Sequence, residues 1–172
     1  MRDRTVIVSG ASKTYAMTGW RIGWTVGPEG LIDMIGRLQD QSTSNPTSFA
    51  QAGAIAALKG PQDCVKTMCA AFAERRAYML KRLAEIPGVE CCAPQGAFYV
   101  FPKIDAYYGK TGGARQIDGS VAMSEYLLEM VKVAVVPGIG FGADPNIRLS
   151  YATSMQQIEK GLNRIAEAFN AL

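Results

Sequence analysis

The sequence predicts a soluble α/β protein of two lobes that share one long helix. Three observations carry that reading. Short β-rich runs alternate with helical stripes, the apolar stripe from Val65 to Leu83 outlasts every other, and after Pro87-Gly88 the pattern becomes short strands interleaved with helices. A chain of 172 residues with 48% hydrophobic and 19% charged residues can bury a core in one or two lobes.

Taken in order, Thr5 to Val8 reads as a buried strand and Arg21 to Val26 as a second, ended by Gly27-Pro28. Leu31, Ile32, Ile35 and Leu38 recur at helical spacing up to about Gln41, and Ser42-Thr43-Ser44 breaks that pattern. Asn45 and Pro46 supply an N-cap and a first-turn proline for an alanine-rich helix that stops at Gly60-Pro61. The long helix follows, with Val65, Met68, Cys69, Phe72, Met79, Leu80 and Leu83 on one stripe. Beyond it come strands at Val89 to Cys92 and Ala97 to Phe101, a helix near Ser120 to Val131, strands at Val133 to Val136 and Ile147 to Tyr151, and a last helix. That helix opens on a capping box of Ser154 and Gln157 and turns Ile158, Leu162, Ile165 and Phe169 to a core. Gly109 to Gly119 reads as a flexible loop, and Gly138 to Gly142 as a turn approaching the substrate.

Composition excludes several chemistries. With no histidine, Ser-His-Asp triads, Cys-His dyads and HExxH zinc sites cannot be assembled from this chain, and no metal site is expected. Cys64, Cys69, Cys91 and Cys92 have no CxxC spacing and read as reduced thiols of a cytoplasmic protein, Cys91 and Cys92 as packing. Arg75-Arg76 and Lys81-Arg82 lie among Glu74 and Glu85, which is a solvated helix face rather than a nucleic-acid footprint. No run of about 18 apolar residues could span a membrane. Trp20, Trp24, Tyr15 and Phe98 are core candidates, Tyr15 and Phe98 being also candidates for the site.

The residues that carry chemistry sit in SGASKTYAMTGWRIGW, Ser9 to Trp24, where Arg21 follows Lys13 by eight positions. A lysine in a loop of small residues after a strand is expected to be partly desolvated and close to a bound anion. Burial and a neighbouring cation disfavour an ammonium, and the free amine is the form that attacks a carbonyl. The loop is not a Walker A motif, because Ser12 and Ile7 stand where that motif needs glycines. Nor does Gly138-Ile139-Gly140-Phe141-Gly142 make a dinucleotide fingerprint, since Ala143-Asp144-Pro145 opens no helix.

This segment resembles the cofactor-lysine motif of the class I and II aminotransferases, the fold type I pyridoxal-phosphate enzymes, and its AMTGWRIG wording is similar to the bacterial aspartate aminotransferase branch. Three further motifs match in order: PQGAFYVFP (Pro94 to Pro102), VVPGIGFG (Val135 to Gly142) and NIRLSYA (Asn146 to Ala152). The resemblance implies pyridoxal 5'-phosphate held by Lys13 as a Schiff base, its phosphate by Arg21 with Ser12 as a further donor, and a substrate α-carboxylate gripped by Arg148. It implies an α/β fold that is the C-terminal part of a fold type I enzyme, with residues 1–78 ending the large cofactor-binding domain and residues 79–172 forming the small α+β domain. The implied function is transfer of an amino group between an amino acid, aspartate or glutamate, and a 2-oxo acid, in a cytoplasmic homodimer. A non-catalytic truncated module and a lyase or synthase of the same fold are the alternatives. Family members are longer than this chain, and the glycine- and serine-rich phosphate loop, the ring-stacking aromatic and the ring-protonating aspartate have no counterpart in it. A part of this kind is expected to expose apolar surface along Thr5 to Val8 and Leu31 to Leu38 and to self-associate.

Overall fold

A computed structural model describes all 172 residues, in two compact units, Met1–Met68 and Cys69–Leu172. The division falls inside the long helix.

In the first unit, β1 (Ile7–Gly10) and β2 (Gly23–Val26) form an antiparallel ribbon, with Ile7 opposite Val26 and Gly10 opposite Gly23. Helices α1 (Glu29–Ser42) and α2 (Ser48–Lys59) follow, then the start of α3 (Asp63–Ala84). This unit has little core of its own: its buried apolar residues are Ala11, Met17, Ala50 and Ala54. The expected buried strand at Thr5 to Val8 is corrected on two counts. It begins later, at Ile7, and it is exposed, Val8 by 78%. An apolar run shows that a strand wants cover, and within this unit nothing supplies it. Leu31 and Leu38 on α1 are exposed as well, Leu38 by 72%, as expected for a surface that seeks a partner.

The start of α2 also differs from expectation. Thr47, not Asn45, stands at its N-cap, and Pro46 lies ahead of the first turn. Gln51 explains the shift, since its side-chain Nε2 donates to the Pro46 carbonyl at 2.8 Å and its backbone N–H to Thr47 at 3.1 Å. Trp20 packs edge-on to Phe49 of α2, centroids 6.4 Å apart. It also lies against Gly53, where a Cβ would stand 2.5 Å from the indole.

The second unit has the core. β3 (Tyr99–Val100), β7 (Ile147–Ser150) and β6 (Val136–Pro137) form an antiparallel sheet in the order β3-β7-β6. Helices α4 (Ser120–Val131) and α5 (Met155–Asn170) bury Met123 and Leu127, and Ile158, Leu162, Ile165 and Phe169, in one cluster with Met79 and Leu83 of α3. All four residues expected inside on α5 are there. Its cap forms as read, with Ser154 Oγ accepting from the Gln157 N–H at 3.3 Å. Strand lengths shrink relative to the sequence reading. Val89 to Cys92 reduces to one bridge, Glu90 to Lys103, and Val133 to Val136 to the two residues of β6.

Gly109 to Gly119 is not a loose loop. It is a hairpin of β4 (Thr111–Gly112) and β5 (Arg115–Gln116), followed by the fully buried Ile117. Arg115 pairs with Glu125 and Glu129 of α4, and Gly112 meets Tyr126 so closely that a Cβ would lie 2.4 Å from its ring. Gly112 is thus a site of close approach, while Gly109 and Gly113 take left-handed backbone, φ 84° and 62°. The basic pairs of α3 are likewise more than a solvated face: Arg76 is half-buried with Nη1 donating to the Pro94 carbonyl at 2.9 Å, and Arg75 lies 5.4 Å from the Phe72 ring centroid. No helix is long and apolar enough to cross a membrane.

Tyr108 gives this unit a pH limit. Its hydroxyl donates to the Asp144 carbonyl, and burial, followed by Asp144, Asp105 and Asp118, pushes the phenol from 10 up to about 12. Because the unfolded chain releases this proton first, the stabilisation is complete below pH 10 and is lost as the pH rises through about 12. Thermal unfolding followed between those limits is expected to show a falling midpoint, and Tyr108→Phe to flatten part of the fall. Burial also pushes up Tyr107, Tyr126 and Tyr151, which add to the fall in the same direction. An unaltered pH profile in the phenylalanine variant would remove Tyr108 from this account.

Candidate active site

The connection between β1 and β2 brings three of the four expected site residues together. Ser12, Lys13 and Arg21 line one open cleft of about 380 Å³ with Ser9, Gly10, Ile22 and Gly23. Its geometry follows from the ribbon. Ala11 is fully buried and anchors the chain as it leaves β1; its carbonyl accepts from Tyr15 N–H at 3.2 Å, and the Lys13 carbonyl from Ala16 N–H at 3.3 Å. A short helical turn, Thr18–Trp20, then leads to Arg21 in the left-handed conformation, φ 51°. That backbone costs a residue with a Cβ about 1–2 kcal/mol. The Arg21 side chain offsets part of it by donating from Nη1 to the Thr18 carbonyl at 3.0 Å, which also curls the guanidinium back to the loop.

Glycine is required where the two legs of the loop meet. At Gly23 a Cβ would stand 2.8 Å from the Ser9 carbonyl oxygen, and at Gly10 3.1 Å from that of Ile22. The floor of the cleft is therefore bare backbone, with an amine, a hydroxyl and a guanidinium at its edge. Expected partial burial of Lys13 is not seen: the residue is exposed, because the cleft lies open to solvent. Tyr15 is half-buried and donates to Gln62 Oε1 at 3.1 Å, so it braces the loop rather than entering the cleft.

Arg148 belongs to the second unit. On β7 the alternation buries Ile147 and Leu149 and turns Arg148 to the opposite face, half-exposed. Its guanidinium carbon lies 4.3 Å from the ring centroid of Tyr99 and 4.6 Å from that of Phe141. None of the chain's ion pairs involves it. The segment expected as a turn toward substrate is a helical turn, Gly138–Phe141. It is pinned at its start, where a Cβ on Gly138 would come within 2.1 Å of the Asn146 carbonyl oxygen. It is tied to α4 as well, since buried Ser120 Oγ donates to Asp144 at 2.7 Å and accepts from the Ile139 N–H at 3.2 Å. Tyr99 and Phe141 were not legible as neighbours of Arg148 in the sequence. Cross-strand register, with Tyr99 opposite Ser150, sets that proximity.

Of the other residues singled out, Phe98 makes tilted ring contacts with Phe72, centroids 6.1 Å apart, and with Tyr99, 4.5 Å apart. Trp20 is 44% exposed rather than core, with Phe49 of α2 edge-on to it. Burial pushes the Cys91 thiol up from its ordinary range, which fits packing; Cys92 is exposed.

A family model, aminotransferase class I and II, matches residues 1–165. A probable aspartate/prephenate aminotransferase of Rickettsia prowazekii is 50% identical over all of this chain and 43% of its own length. An aspartate aminotransferase of Geobacillus stearothermophilus is 48% identical over 96% of the chain and 41% of its own length. Among solved structures, an aspartate aminotransferase from Rhizobium meliloti superposes on 99% of the chain with a TM-score of 0.95 at 44% identity, and an aromatic aminotransferase from Pyrococcus horikoshii with 0.90 at 36%. The chain thus spans less than half the length of the relatives it matches.

Proposed function

Because the chain belongs to the class I and II aminotransferase family, whose members depend on pyridoxal 5'-phosphate, we propose that it carries the cofactor lysine and the carboxylate-binding arginine of such an enzyme. In this reading it is the C-terminal part of a fold type I aminotransferase, with residues 1–78 closing the large domain and 79–172 forming the small one. The complete enzyme is a cytoplasmic homodimer that exchanges an amino group between aspartate or glutamate and a 2-oxo acid.

The observation that supports this most is the convergence of Ser12, Lys13 and Arg21 on one cleft with a glycine floor. The donor set fits the cofactor. Arg21 and Ser12 offer a guanidinium and a hydroxyl to its phosphate, Lys13 offers the amine that its aldehyde requires, and bare backbone at Gly10 and Gly23 permits close approach. Bound, the cofactor supplies a conjugated ring that takes up negative charge from the substrate Cα. With the cofactor held there, Lys13 Nζ would be the general base for the substrate Cα proton. Arg148 would meet the substrate α-carboxylate with two parallel hydrogen bonds, and so set the orientation of that carboxylate.

The test is an assay of aspartate with 2-oxoglutarate, using the chain and excess cofactor, alone and with the remainder of a relative's sequence supplied in trans. Visible absorbance reports cofactor capture at the same time. The expected result is weak capture and no useful turnover by the chain alone, since catalysis of this kind depends on groups held preorganised around the ring. Robust turnover by the chain alone would mean that other residues activate the ring.

A further inference from the structure

We propose that Tyr99 and Phe141 are positioning residues for Arg148, two rings that bracket its guanidinium and reserve its N–H edge for a single carboxylate. The inference rests on the reading of Arg148 as the carboxylate arginine, but not on the cofactor or on Lys13.

The geometry of the bracket is on two separate supports. Tyr99 lies opposite Ser150 in the β3-β7 register, hence diagonal to Arg148 on the same face of the sheet, 4.3 Å from the guanidinium carbon. Phe141 comes from the pinned turn, 4.6 Å away. Each ring is braced in turn: Phe98 lies 4.5 Å from Tyr99, and Phe101 meets Phe141 at 5.9 Å with the planes at 90°. Aromatic faces attract a cation through their negative quadrupole and use none of its N–H donors. An aspartate or glutamate in their place would also hold the arginine still, but would occupy the hydrogen bonds that a substrate needs and repel its charge. None of the chain's acidic residues pairs with Arg148. Orientation is therefore supplied by contacts that do not compete with the ligand, which suits bidentate recognition, where the plane of the fork matters as much as its charge.

The experiment observes the Arg148 side chain directly. In the full chain labelled with ¹⁵N-arginine, with Arg148→Lys used for assignment, the Nε–H signal is followed while succinate is added. In the native chain that signal is expected to carry an upfield ring-current shift and to respond saturably to succinate. Tyr99→Leu and Phe141→Leu should each lose part of the ring-current shift and weaken succinate binding about two- to thirty-fold. Tyr99→Phe should keep both properties, because the ring and not the hydroxyl is at work. Phe141 is 50% exposed, so its replacement leaves the core intact and stands in if Tyr99→Leu fails to fold. If the native signal responds and both leucine variants respond equally well, or if Tyr99→Phe behaves as Tyr99→Leu does, the bracket is overturned while Arg148 keeps its role. If the native Arg148 signal ignores succinate, the carboxylate role itself falls and the bracket with it.

Discussion

Alanine at Lys13 is expected to lower turnover of the complete enzyme by about a hundred- to ten-thousand-fold, the range lost when a positioned general base is removed. The same variant should leave no borohydride-trapped cofactor on the peptide that spans Ser9 to Arg21. The specificity of the result lies in the cleft. Lys13 is the lysine that shares it with a hydroxyl and a guanidinium over bare backbone, whereas Lys59, at the end of α2, is outside it. Lys59→Ala should therefore trap cofactor and turn over as the unaltered enzyme does. Peptide mapping after reduction decides the matter, and label on another lysine, or spread over several, would sink the assignment. Exposure of Lys13 in this chain adds a second expectation: capture here is weaker and less selective than in an enzyme that covers the cleft.

Arg148→Ala should lower kcat/KM for the amino acid by the equivalent of about 2–5 kcal/mol, the usual loss when one partner of a hydrogen-bonded charge pair is truncated. Cofactor should stay bound. Arg21→Ala should do the reverse, releasing cofactor on dialysis and showing reduced turnover that excess cofactor partly restores. Arg148→Lys tests the chemistry of the fork. A lysine keeps the charge but not the planar pair of donors, so it should recover only part of the loss. Equal cofactor retention in the two alanine variants would show that the division of roles between the arginines is wrong.

How much of this was legible in the chain depended on where each signal comes from. Helix α5 was readable because a buried stripe and a cap are both local in sequence, and the core that it and α4 face lies within their own unit. The strand at Ile7 misled because its apolar residues report a demand for cover, and the cover is not within its unit. Glycines misled in the other direction. Gly112 is a site where Tyr126 and Leu172, far along the chain, leave no space for a Cβ. The motif around Lys13 was readable as a motif, while the reason Arg21 reaches the same cleft, a ribbon that returns with Gly23 opposite Gly10, needed the pairing. The rings beside Arg148 were unreadable for the same cause.

The placement of Trp20 against α2 has a spectroscopic consequence. Both tryptophans, Trp20 and Trp24, belong to Met1–Met68, and six of the seven tyrosines, all but Tyr15, belong to Cys69–Leu172. Tryptophan emission is thus a private signal of the unit that carries the cleft, and tyrosine near-ultraviolet dichroism is almost wholly the signal of the unit that carries Arg148. One unlabelled sample holds two separable reporters, one for the part poor in core and one for the part rich in it.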